Sequence, residues 1–81
     1  MGVLRVLSHH GDDRYQWNYP AVQVGDEEAQ KAIREAERIF AEQRARGSTA
    51  VRVTPGKPAE RIDSFDPAAQ EIVMIPRVVG G

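Results

Sequence analysis

The segment from Asp26 to Arg46 constrains this chain more than any other. Ala29, Ala32, Ile33, Ala36 and Phe40, with Ile39 alongside, recur at three- and four-residue spacing. That spacing gathers them on one side of an α-helix and leaves the other side charged. Asp26 is placed to accept hydrogen bonds from first-turn amides, and Glu27 and Glu28 suit the positive end of the helix dipole. Glu27 with Lys31 and Glu42 with Arg46 are spaced to pair on the exposed side. Arg44 and Arg46 suit the carboxyl end, and Gly47 is a natural left-handed stop. A helix with one apolar stripe needs a surface to cover it, and the runs on either side supply a sheet.

Val3 to Leu7 reads as a strand, and Ser8-His9-His10-Gly11-Asp12 reads as a turn. Asp13 to Tyr19 then alternates strictly. Tyr15, Trp17 and Tyr19 fall on one face and Arg14, Gln16 and Asn18 on the other, which predicts a second strand completing a hairpin. Pro20 and Gly25 bracket a connection to the helix. After it, Thr49 to Val53 is a strand with Val51 and Val53 on one face, and Pro55-Gly56-Lys57-Pro58 reverses the chain. Arg61 to Phe65 reads as a short edge strand. Asp66-Pro67 opens a turn with one helical turn through Ala69, and Glu71 to Ile75 is the last strand. The expected architecture is α+β, a mixed sheet of four to five strands with one helix packed across one face.

At 81 residues the chain is expected to form one domain, residues 1 to 75, followed by a flexible tail, residues 76 to 81. Eleven Lys and Arg balance twelve Asp and Glu, so no general field favours nucleic acid or an anionic membrane. The longest apolar run, Ile72 to Ile75, is far short of a membrane span or signal-peptide core, and the expectation is a soluble, cytoplasmic protein. Cysteine is absent, which excludes a disulfide framework, a thiolate metal site and a thiol nucleophile. Any thioester chemistry must use a partner's cysteine.

The chain closes with Glu71-Ile72-Val73-Met74-Ile75-Pro76-Arg77-Val78-Val79-Gly80-Gly81. Two final glycines occur by chance in roughly 0.5% of chains if Gly is about 7% of residues, so the dipeptide gains weight from the strand and Pro before it. Glycine has no Cβ, and such a tail threads a channel too narrow for a side chain. Its carboxylate is ionised at neutral pH and a poor electrophile. It needs activation, typically by ATP as an acyl-adenylate, before a thiol, sulfide or amine takes the acyl group.

This ending resembles that of the MoaD/ThiS-type bacterial sulfur carriers, and the element order resembles that of ubiquitin-like β-grasp proteins. The close match covers about the last eleven residues, while the remainder agrees in element order and length. Arg77 falls where ubiquitin has a tail arginine read by its activating enzyme. The resemblance implies a substrate and carrier, and not an enzyme. A partner using ATP and magnesium would adenylylate Gly81, with Gly80 and Gly81 carrying the reaction and no cofactor bound by this chain. The acyl group then becomes a thiocarboxylate for sulfur transfer or passes to target lysines. By the same resemblance, Ile72 and Met74 are buried while Val73 and Ile75 face a partner, and Pro76, Arg77, Val78 and Val79 form the lead-in. Expected partners are the activating enzyme, a deconjugating peptidase and target proteins. Lys31 and Lys57 are the only lysines and the internal conjugation acceptors.

Other groups read more simply. His9, His10, Asp12 and Asp13 have metal-ligating side chains, but adjacent strand residues point to opposite faces, so a solvated turn is expected. The row Tyr15, Trp17 and Tyr19 has the residue types of a base-stacking platform, yet beside an apolar helix it reads as core or a satellite cluster, with core and surface not separable from the sequence. Asp63, Asp66 and Glu71 read as exposed turn residues and not as an acid and base pair. The alternative function is a non-covalent β-grasp interaction domain with an inert tail.

Overall fold

The last strand lies in the middle of the sheet, and the rest of the chain is arranged around it. The computed structural model describes residues 1–77. Strand β1 (Gly2–Ser8) turns through His9 and His10 into β2 (Gly11–Trp17). A short helix α1 (Tyr19–Gln23) and a long helix α2 (Glu27–Ala45) follow, then β3 (Thr49–Val53), β4 (Glu60–Ile62) and β5 (Glu71–Ile75). The sheet order is β2-β1-β5-β3-β4. β5 runs parallel to β1 and antiparallel to β3, while β1 with β2 and β3 with β4 are antiparallel pairs. The fold is therefore α+β, with a mixed five-stranded sheet and one main helix.

Register decides which side chains enter the core. Leu4 lies opposite Ile72 and Val6 opposite Met74 across the parallel pair, and Ala50 lies opposite Met74 across the antiparallel one. Directly paired residues point to the same face. Leu4, Ala50, Ile72 and Met74 are fully buried on that face. α2 covers them with Ala29, Ile33, Ala36 and Phe40, the stripe that its periodicity predicts. Each large side chain removed from water here contributes about 1.5–3 kcal/mol.

The ends of α2 follow from their capping residues. Asp26 Oδ1 accepts a hydrogen bond from the Ala29 amide at 2.9 Å. At the other end Gly47 adopts φ 91, its amide donates to the Arg44 carbonyl, and the Ser48 amide donates to the Gln43 carbonyl, both at 3.0 Å. This pair of bonds is the Schellman arrangement that closes a helix on glycine.

The structure departs from the sequence reading at several places, beginning with β2, which opens at Gly11 where a turn through Asp12 was expected. β2 ends at Trp17 and not at Tyr19, because the Asn18 side chain accepts from the Ala21 amide at 3.1 Å and Pro20 sits in the first turn, which starts α1. That helix was not expected. Its Val22 packs on the core, as do Tyr15 and Tyr19, so the aromatic row is core, with Trp17 fully buried between two half-buried tyrosines, even though Tyr19 has left the strand. β4 is Glu60–Ile62, shorter than the expected Arg61 to Phe65. Past Ile62 the chain bends to place Phe65 5.1 Å from Trp17 and 5.7 Å from Phe40, ring centre to ring centre. Finally, the connection into β5 forms a turn instead of a helical turn. Asp66 accepts from the Ala68 amide through its carboxylate at 3.0 Å and from the Ala69 amide through its carbonyl at 3.1 Å. Arg52 holds this turn by pairing with Asp66 at 2.8 Å and with Glu60, and the Trp17 indole N–H donates to the Pro67 carbonyl at 2.9 Å.

Gly2 is required by close approach. It pairs with Trp17 across the hairpin, and a Cβ there would sit 2.3 Å from Trp17 Cε2. Gly2→Ala is expected to cost about 1–3 kcal/mol of stability by displacing the indole. Urea unfolding followed by fluorescence of the single tryptophan measures it, and an unchanged midpoint with unchanged emission would contradict this packing.

Candidate partner face and tail root

Alternation along the strands puts a second set of apolar residues on the sheet face away from α2. Val51 lies opposite Val73, Thr49 opposite Ile75 and Val53 opposite Glu71. Val73, Val51, Val53 and Val3 are half-buried, and Ile75 is 42% exposed. Both helices pack on the other side, so among the described residues no element lies over this face. Val51 and Val53 do share one face, as their alternation predicts, and it is the uncovered one.

One flank of this face is charged. Arg5 donates to Asp12 through Nε at 3.0 Å and through a terminal nitrogen at 2.9 Å, and reaches Glu71 at 3.4 Å. Arg14 Nε adds a contact to Asp12 at 3.3 Å. Hydrogen bonds from Arg5 hold the Asp12 carboxyl below its ordinary value, and those to Asp12 raise the Arg5 guanidinium further. The two strands on the tail side carry the apolar patch, and the hairpin side carries the ion pairs. The pairing itself was not read from the sequence: the β1–β2 hairpin register sets Asp12 and Arg14 beside Arg5, and the β1–β5 register adds Glu71.

The tail leaves β5 at Pro76, which fixes its backbone angle and donates no hydrogen bond. Arg77 then lies across the end of α2. A Cβ on Gly47 would come 3.2 Å from Arg77 Cδ, so the glycine provides both the left-handed turn and the space for this side chain. The helix end beneath is braced. The buried Ser48 hydroxyl donates to Gln43 Oε1 at 3.1 Å, and its carbonyl accepts from Arg44 at 2.9 Å. Beside Arg77 opens a cleft of about 450 Å³, lined by the apolar Val6, Leu7 and Pro76, by the polar Ser8, Gln43 and Ser48, and by His9, Arg46 and Arg77.

Of the residues singled out from sequence, Val73, Ile75, Pro76 and Arg77 are brought together at this end of the sheet, and Ile72 and Met74 are buried. Val78, Val79, Gly80 and Gly81 lie outside the described residues. Lys31 is exposed on the first half of α2, about 22 Å along the helix from Arg46 at 1.5 Å per residue. Lys57 is exposed in the turn between β3 and β4, at the sheet end opposite the tail. His9 and His10 lie in an exposed turn, as expected. The turn brings their ring centres within 4.1 Å, whereas strand geometry would have put the rings on opposite faces. Among the described residues no group of three or more potential metal-ligating side chains converges, and no helix is long and apolar enough to cross a membrane.

Comparison with known protein families, with curated proteins and with solved structures returned no match to this chain.

The seat under Arg77 generates a prediction. Gly47→Ala forces an L-residue into the left-handed region and presses on Arg77, and about 1–2 kcal/mol of stability should be lost. Equilibrium urea unfolding gives the loss, and the Arg77 amide resonance should move with it. If stability and resonance both stay put, Arg77 does not rest on this glycine.

Proposed function

We propose that the chain is a ubiquitin-like β-grasp carrier or modifier whose Gly81 is adenylylated by an activating enzyme. The observation that carries this reading is the placement of β5. The final strand lies at the centre of a β2-β1-β5-β3-β4 sheet with α2 across one face, an arrangement compatible with a β-grasp, and the Pro76 to Gly81 segment continues directly from it. A central strand is held on both edges, so a tail running out of it has a fixed point of departure. The uncovered patch of Val51, Val73 and Ile75 stands beside that point and supplies apolar surface for an enzyme to grip.

The chemistry needs little from the chain itself. A Gly81 carboxylate oxygen attacks the α-phosphorus of ATP held with magnesium by the partner, and pyrophosphate leaves. The resulting mixed anhydride is open to a nucleophile at its carbonyl carbon, with AMP departing. Attack by sulfide gives a thiocarboxylate. Attack by a partner's cysteine gives a thioester, which a target lysine resolves to an amide. Lys31 and Lys57 are accessible should chains form. The reading requires Gly81 to carry a free carboxyl in the cell, as synthesised or after trimming by a peptidase.

A second reading, a non-covalent interaction domain with an inert tail, is favoured by the same open sheet face. Mass spectrometry of the protein and its adducts from the native host separates the two. Activation predicts either exchange of one oxygen for sulfur at Gly81 or a Gly-Gly remnant on target lysines, both lost on deleting Gly80 and Gly81. If neither product is found and the deletion leaves partner capture unchanged, the tail is inert and the second reading stands.

A further inference from the structure

The cleft at the tail root carries a charge pattern that the chain as a whole does not. Acidic and basic residues balance to a formal net charge of −1 over the sequence, yet among the described residues the cleft is lined by His9, Arg46 and Arg77 and by no acidic side chain. Elsewhere the arginines are mostly engaged: Arg5, Arg38, Arg44 and Arg52 each pair with a carboxylate. Arg46 and Arg77 make no such pair among the described residues, and both are exposed. The rest of the lining combines the apolar Val6, Leu7 and Pro76 with the polar Ser8, Gln43 and Ser48. The rim is also held in place. Arg77 rests across Gly47, and Arg46 caps α2 with its amide donating to the Glu42 and Gln43 carbonyls at 3.1 and 3.2 Å.

From this we infer that the cleft receives an acidic segment of a partner protein. One apolar side chain of that segment sits among the apolar part of the lining, and its flanking carboxylates face Arg46 and Arg77. Guanidinium groups bind carboxylates through paired, charge-assisted hydrogen bonds, and an apolar anchor between two of them adds burial that a free anion lacks. A volume of about 450 Å³ holds one large side chain with its neighbouring backbone and is too small for a folded element. The segment therefore belongs to an extended loop or terminus of the partner. This inference rests on the carrier reading for what the partner does to the tail, but not for the binding itself.

The test uses the full chain, labelled with nitrogen-15, at low salt. It is titrated with acetyl-Asp-Leu-Glu-amide, with acetyl-Lys-Leu-Lys-amide and with inorganic phosphate. The acidic peptide should give saturable shifts confined to Leu7, Ser8, His9, Arg46, Gly47, Ser48 and Arg77, weakening as salt screens the pairing. Arg46→Glu and the double variant Arg46→Glu/Arg77→Glu should each weaken it, the double by about tenfold or more. Unmoved amides of Leu4 and Ile72 show that the variants remain folded. Equal shifts with the basic peptide, equal shifts with phosphate, or shifts confined to Val51 and Val73 on the open face would each overturn the inference. Because none of these readouts involves adenylylation, an inert tail leaves them untouched, and failed binding here leaves activation of Gly81 open.

Discussion

The parallel pairing of the first and last strands is the constraint on which this molecule depends. β1 and β5 are separated by nearly the whole chain, and their side-by-side register puts Leu4 against Ile72 and Val6 against Met74. β3 closes on the other edge of β5 with Ala50 against Met74. The same two pairings decide both faces at once. A slip of one residue would expose Ile72 and Met74 and turn Val73 and Ile75 against α2, reversing core and surface together. Burial of several large apolar side chains opposes that slip strongly, whereas the Arg5, Asp12 and Glu71 contacts on the outer face are partly open to solvent and contribute little by comparison.

The consequences reach the candidate site by a short route. Since β5 is held on both edges, the chain leaves it in one direction, toward the carboxyl end of α2. There the Schellman closure at Gly47 leaves room for Arg77, and Ser48, Gln43 and Arg44 brace the floor beneath. The open apolar face and the arginine-rimmed cleft meet at this point of departure, one reached from β3 and β5 and the other from α2 and the β1–β2 turn. A partner approaching the tail therefore meets apolar surface on one side and positive charge on the other.

Much of the local structure was legible in the sequence. The stripe through Ala29, Ile33, Ala36 and Phe40, the cap at Asp26 and the stop at Gly47 all appear as read, because helix period and capping act over a few residues. The strand Glu71–Ile75 is likewise bounded as expected. What was not legible arises from contacts between distant residues or from local polar competition. The Asn18 cap ended β2 early and started α1, overriding a strict alternation through Tyr19. Phe65 was drawn out of a strand by Trp17 and Phe40, neither near it in sequence. The cleft combines Leu7 and His9 with Arg46 and Arg77, a grouping that no spacing along the chain encodes. The chemistry expected of Gly80 and Gly81 rests on residue type and on the resemblance of the tail, beyond the described residues.

The most direct check on the central pairing is native-state amide hydrogen exchange across the sheet. Amides of Ile72, Val73 and Met74 in β5 should exchange only through global unfolding, with a free energy equal to that from urea denaturation, alongside those of the central part of β1. The Glu60–Ile62 edge strand should exchange faster. If β5 amides instead exchange as quickly as that edge while β1 and β2 stay protected, the last strand is not the centre of the sheet, and the account of both faces and of the tail's departure fails.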